Sequence, residues 1–326
     1  MSESEQTISS SPIDKVFGEL KTMRDSLPHF YLFLATICIW FIHFHFLGNS
    51  ARGYVDSASL FGWLDWVYQD PDSEYGRYVP LVVLFLMYWK RDAWVPMDKS
   101  IWLPASVLIV LGAVMHYAGF ITQLSRLSFI GFFLGFYGII GLFYGLKFMK
   151  EVFFPFFLFI FCMPLPADLD GLTLPLRVLV SSMTVWFSDS FLGIDVIRQG
   201  TILISSSGDF KYDVAPACSG IRSLTSLFLL TTIFAYTGKI PMWQRITVIL
   251  SAIPFAIIGN WIRLTSVVAV AETWGEETGK TIEQNLGFVT FLVALVGVMT
   301  LLWYFEKSSS KEDDLDPAPK ESAIQE

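Results

Sequence analysis

A cysteine opens an apolar run in VAPACSGIRSLTSLFLL, Val214 to Leu230, and an arginine follows it by four residues. Cys218 comes after Ala-Pro-Ala at the head of an expected helix, so its thiol would face free backbone N–H groups. That position favours the thiolate through the helix dipole, and a neighbouring cation adds to the effect. Arg222 stands on the same helix face, one turn on. A second arginine, Arg263 in GNWIRLTSVV, lies within the next apolar run. Arginine inside lipid is costly enough that its default reading is functional. The alternative is that Arg222 and Arg263 snorkel to the interface or satisfy unwound backbone carbonyls. Cys38 and Cys162, in TICIW and FIFCMPLP, read as small buried hydrophobes.

Something must hold these groups, and composition says what. Hydrophobic residues make up 53% of the 326 and aromatics 16%, more than a soluble domain carries. The expectation is an all-α polytopic membrane protein with about eight transmembrane helices. They are Phe30–Leu47, Val79–Trp89, Ile101–Phe120, Leu127–Leu146, Val152–Leu165, Cys218–Tyr236, Trp243–Ala271 and Asn285–Phe305. Leu176–Leu192, interrupted by Arg177, Ser181, Ser182, Ser188 and Asp189, reads as an interfacial or re-entrant amphipathic helix. Lysine and arginine collect at Lys90, Arg91 and Lys99, at Lys147 and Lys150, and at Lys239 and Arg245. The positive-inside rule then puts both termini in the cytoplasm, with Cys218 and Arg263 near the outer face of the membrane. A polar N-terminus up to Pro28 predicts a retained first span rather than a cleaved signal.

Three regions follow: a cytoplasmic segment 1–29, a transmembrane domain 30–305, and an acidic tail 306–326 expected to be disordered. Between Asp195 and Ala215, TILI and FKYDV flank SSSGD, which predicts a small extracytoplasmic β-hairpin. Such a hairpin would orient an extended peptide by edge-strand pairing, or serve as a plain linker. No His/Cys spacing suits a metal and no glycine-rich loop suits a phosphate, so no cofactor is expected. Topology and the net charge of −8 argue against nucleic acid.

The run PACSGIRSL, an apolar helix, a short basic loop and then NWIRL resemble the exosortase/archaeosortase family of membrane cysteine transpeptidases. SEYGRYVPLVVLFLMYWKR and the stretch from FLFIFCMPLP to DVIRQGTILI are similar to it as well, so the likeness runs from about Ser73 to Phe305. The resemblance implies an enzyme that cuts a C-terminal sorting signal on exported proteins: a Pro-Glu-Pro-like motif, a transmembrane helix and a basic end. By position, Cys218 would be the nucleophile and Arg263 the residue that steadies the oxyanion or positions the substrate. Ser219, Gly220, Asn260 and Arg222 would position substrate or activate the thiol.

The chain departs from the family where a basic residue is expected four positions before a glycine. In TIEQNLGF, counting back from Gly287 puts Glu283 there, and no histidine follows His116. Four readings remain open. Glu283 replaces the acid/base; Lys280 does; one of His43, His45 and His116 does; or the chain binds sorting signals without cutting them. A transporter or channel is a second function class, with intramembrane arginines marking an anion path, but no internal repeat supports it.

Overall fold

The structure, a computed structural model, describes residues 12–46, 59–70, 73–163, 170–208, 210–213 and 221–315. The chain divides into two compact units, Met1–Pro164 and Leu165–Glu326, inside what the sequence presents as one transmembrane domain.

The first unit carries helices α1 (Pro12–Asp25), α2 (Phe30–Phe46), α3 (Leu60–Val67), α4 (Val79–Trp89), α5 (Arg91–Trp94), α6 (Ser106–Thr122) and α7 (Ser125–Phe157). Helix α7 is not one rod. At Gly145 the backbone takes φ 87 and ψ 170, which a residue with a Cβ resists, and the helix breaks there. The Tyr137 hydroxyl donates to the Met149 carbonyl (2.7 Å), and the Phe133 and Phe159 rings stack 4.7 Å apart. A straight helix would hold those phenylalanines about 39 Å apart, so the chain has turned back on itself. Its two antiparallel arms match the separate apolar runs 127–146 and 152–165 of the sequence. Helix α6 lies against the first arm through glycines: a Cβ at Gly112 would stand 2.5 Å from the Gly131 carbonyl, and one at Gly131 the same from Gly112. Small residues at such a crossing let helices approach closely in lipid, where packing replaces the hydrophobic effect.

The second unit runs α8 (Asp170–Phe187), a π-turn at Ser188–Leu192, and strands β1 (Val196–Gln199), β2 (Ile202–Ser205) and β3 (Lys211–Asp213). Helices α9 (Ile221–Thr237), α10 (Met242–Leu250), α11 (Ala252–Trp274) and α12 (Glu276–Leu315) complete it. Strand β2 pairs antiparallel with both neighbours, Leu203 facing Tyr212 on one side and Arg198 on the other. The sheet is thus a three-stranded meander. A two-stranded hairpin was too small an expectation, because VIRQ shows no clean alternation: only Val196 of β1 is buried. Val196, Leu203, Phe210 and Tyr212 pack with Val180 of α8 and Leu264, Val267, Val268 and Ala271 of α11.

Helix α8 has the polarity of a helix beside lipid. Arg177, Ser181, Thr184 and Ser188 recur every three to four residues and are buried, while Leu174, Leu179 and Trp186 are exposed. Leu176 and Val180 share a cavity with Ile253, Ala256, Ile257 and Asn260, and Thr184 lies 3.5 Å from Thr265. Helix α8 therefore runs alongside α11 in the same direction. The amphipathic character is as expected, but the helix stands along its neighbour because its polar stripe is covered by α11.

Among the described residues, four helical stretches are long and apolar enough to cross a membrane: Leu103–Thr122, Ser125–Cys162, Met242–Trp274 and Leu286–Ser309. A fifth arises if α1 and α2, bent by 85°, are taken together. This is fewer than eight. Val79–Trp89 and Leu224–Thr237 are short apolar helices, 11 and 14 residues against the roughly 20 a bilayer asks for. Helix α12 continues to Leu315, so ten residues of the expected disordered tail are helical.

Candidate functional site

Cys218, Ser219 and Gly220 lie outside the described residues, as does the side chain of Arg222, whose backbone is in the first turn of α9. The surroundings of that turn are described. Helix α9 packs antiparallel to α11: Leu224 meets Ala256, Ile257 and Asn260, while Ala235 and Ile240 share a core with Val248 and Ala252. Helix α12 is antiparallel to α11 as well, since Gly259 lies against Thr290 and Gly297 against Phe255, and so runs with α9. Ile221 precedes Leu224 by three residues, and Arg263 follows Asn260 by three. At about 1.5 Å per residue, both lie roughly 4.5 Å beyond the Leu224–Asn260 level. The start of α9 and Arg263 are thus at one height.

At that height Arg263 reaches across to α12. Its Nη2 donates to the Glu283 carbonyl (3.1 Å) and stands 4.0 Å from the Glu283 carboxylate, with side chains 18% and 24% exposed. Gly287, one turn further on, lies against the guanidinium: a Cβ there would make an ordinary contact, 3.7 Å, with Arg263 Cζ. Among the described residues, Arg263 Nε is buried without a hydrogen-bond acceptor. Guanidinium offers five donors in a planar fork, so donors remain for an incoming oxygen. Asn260 is buried one turn below on α11.

The sheet is fastened to the same corner. The Tyr212 hydroxyl donates to the Glu276 carbonyl (2.7 Å), and Ser205 Oγ donates to Glu272 Oε2 (2.9 Å). A Cβ at Gly279 would collide with that Tyr212 hydroxyl, so the helix turn beneath the strand must be bare. Burial, with Glu283 and Glu276 nearby, pushes the Tyr212 phenol up to about 12. Tyr212 stands six residues ahead of Cys218. In the sequence it was one aromatic in a predicted strand; its position on α12 comes from the meander, which no local pattern reveals. Arg177 is a buried arginine of this unit, 8% exposed, and its signal was its recurrence with Ser181 and Ser188 at helical spacing.

The other proton carriers named from the sequence sit differently. Lys280 is 58% exposed and paired with Glu276 at 2.5 Å, which holds its ammonium above the ordinary lysine range. His43, His45 and His116 belong to the first unit. His45 Nδ1 meets Ser59 Oγ (2.8 Å), His116 Nδ1 meets Ser128 Oγ (3.1 Å), and the His43 and His116 rings are 5.2 Å apart. Cys162 is buried as expected, whereas Cys38 is exposed on α2. Among the described residues no three His, Cys, Asp or Glu side chains are grouped to hold a metal.

No curated protein and no solved structure matches the chain. A family model does: transmembrane exosortase (Exosortase_EpsH) matches residues 63–300, which include the sheet, α9, Arg263 and Glu283. With more than half of its length under that model, the chain belongs to the transmembrane exosortase family.

Proposed function

We propose that the protein is a cysteine transpeptidase that cleaves C-terminal sorting signals of exported proteins at the outer face of the inner membrane. One observation carries the reading most directly: Arg263, three residues after Asn260, is level with the helix turn that begins three residues after Cys218. The Cys218 thiolate attacks the scissile carbonyl, whose carbon–oxygen pair moves onto oxygen. Arg263 donates to that oxyanion with the N–H groups that Glu283 does not occupy. The oxyanion collapses, the C–N bond breaks, and the leaving amine takes a proton. Glu283 is proposed to carry that proton from the thiol to the amine, and Lys280 is a poorer carrier because Glu276 stabilises its protonated form. An acceptor nucleophile then attacks the thioester and gives up its proton, the C–S bond breaks, and the acyl group leaves on the acceptor as the Cys218 thiolate is freed.

The partner is an exported protein ending in a short motif, an apolar helix and a basic tail. The proposed eight crossings are α2, α4, α6, the two arms of α7, α9, α10 with α11, and α12, leaving both termini cytoplasmic. The edge of β3 would align the extended motif by strand pairing. A second reading, a protein that binds signals without cutting them, is favoured by one fact: no histidine follows His116.

Co-expression of a sorting-signal protein, followed by gel mobility, separates the two. Processing by wild type that is lost in Cys218→Ala and Arg263→Ala supports the transpeptidase. Processing that survives Cys218→Ala sinks it, and full activity of Glu283→Ala removes Glu283 from the proton path. Co-purification of an uncleaved signal protein with wild type supports the binder.

A further inference from the structure

Helix α1 is a surface for which the reaction has no use. Six of its fourteen residues are charged: Asp14, Lys15, Glu19, Lys21, Arg24 and Asp25. Such a segment does not cross a bilayer. Ile13, Val16, Phe17 and Leu20 are nevertheless exposed, at 66%, 45%, 67% and 46%. Their spacing of three, four and seven places them within roughly 100° of the helix circumference, as an apolar stripe. Thr22 and Gly18 point elsewhere, and Met23 turns in to a core with Leu27, Phe33 and Trp94.

The elbow after α1 sets its direction. The chain turns by 85° between α1 and α2, with His29 in the left-handed region (φ 55). Helix α2 carries no Asp, Glu, Lys or Arg in seventeen residues. If α2 stands along the bilayer normal, α1 lies nearly flat in the plane of the surface. Two exposed aromatics stand at helix ends, Tyr31 in the first turn of α2 and Trp89 at the end of α4, the kind of ring that settles among headgroups. One edge of α1, beside the stripe, is pinned to the protein. Glu19 pairs with Arg91 (3.2 Å) and accepts from the Tyr88 hydroxyl, while Arg91 sits over the Tyr88 ring, 4.5 Å from its centre. Helix α1 is thus held by one edge to the end of α4, with its apolar stripe left open.

We propose that α1 is an interfacial helix whose Ile13, Val16, Phe17 and Leu20 face lies buried in the headgroup–acyl boundary of the bilayer. The occupant of that face is lipid. Charge on α1 balances, three acidic against three basic side chains, so the apolar stripe and not anionic headgroups makes the attachment. Fixed through Glu19 to Arg91, the helix ties the α4–α5 corner to the membrane surface.

The test uses the full chain in phosphatidylcholine vesicles, with Cys38, Cys162 and Cys218 replaced by serine and single cysteines carrying a spin label along α1. Collision with oxygen, relative to a water-soluble nickel chelate, should be several-fold higher at positions 13, 16, 17 and 20 than at 14, 18 and 22. Equal access of the nickel chelate at all seven positions overturns the proposal. So does dipolar broadening between labels at position 17, which would put a second copy of the chain on the stripe. Intact α2 is checked by the same ratio at position 39, whose Ile39 is 67% exposed and should be fully lipid-facing.

Discussion

Removing one oxygen, in Tyr212→Phe, measures how firmly the sheet is held on the corner between α11 and α12. Tyr212 is 6% exposed and its ring packs with Leu203, Val267, Val268 and Ala271, so phenylalanine keeps the packing and loses only the bond to the Glu276 carbonyl. The Glu276 carbonyl keeps its intrahelical donor in α12, so the variant loses one net hydrogen bond, about 0.5–1.5 kcal/mol. That corresponds to a roughly 2- to 13-fold larger open population. Amide exchange at Leu203 and Ile204, which pair with Tyr212 and Lys211, reads local opening of the sheet and should speed up by that factor. Helix amides of α11 around Val267 should not change. Gly279→Ala supplies the control. Its Cβ would collide with the Tyr212 hydroxyl and stand 3.0 Å from the Ala271 Cβ and 3.3 Å from the tyrosine Cζ. Overpacking of this kind costs about 1–3 kcal/mol, offset by about 1 kcal/mol because alanine favours helix over glycine. Without the hydroxyl the worst contact disappears, so the double variant should be less destabilised than the two singles summed, by about 1 kcal/mol. Unchanged exchange in Tyr212→Phe, or strict additivity, refutes the idea that this hydroxyl holds the strand.

Three further expectations are open to measurement. Arg263→Lys keeps the charge but loses the fork that reaches the Glu283 carbonyl and an oxyanion together; processing should fall by roughly 100-fold with membrane insertion intact, and near-normal processing would remove the donor role. Gly145→Ala puts a Cβ at φ 87 and 2.9 Å from the Ser100 carbonyl, so thermal unfolding in detergent should report a loss of about 2–3 kcal/mol; no shift would mean that the turn of the α7 hairpin is not under constraint. The Tyr212 phenol is pushed up to about 12 from its ordinary 10, and the folded state therefore holds its proton more tightly than the unfolded. Its contribution is complete below pH 10 and lost as pH rises through about 12, so the protection of the sheet amides relative to their intrinsic exchange rate should fall over that window in wild type and stay flat in Tyr212→Phe.

Much of the molecule was legible as residues in order. Apolar runs predicted helices, and the break between 146 and 152 anticipated the two arms of α7, because Gly145 and the basic pair Lys147 and Lys150 interrupt hydropathy at the turn. Cys218 and Arg263 were singled out because a thiol and an arginine are conspicuous in a lipid-facing composition, and Asn260 because NWIRL resembles a family element. Less visible were interactions between segments. VIRQ does not alternate, so β1 emerged only through its pairing with β2. Helix α8 looked interfacial because its polar stripe could as well have met water; only contact with α11 shows that the stripe faces inward. Glu283 was found by counting from a glycine, yet its attachment to Arg263 depends on α11 and α12 running antiparallel. Periodicity and composition determined which stretches are helices and which side chains can do chemistry, since both follow from neighbours along the chain. Which helix faces which, and hence that Arg263, Glu283, Tyr212 and the first turn of α9 share one end of the second unit, was decided by tertiary packing, because those contacts join residues twenty to seventy positions apart.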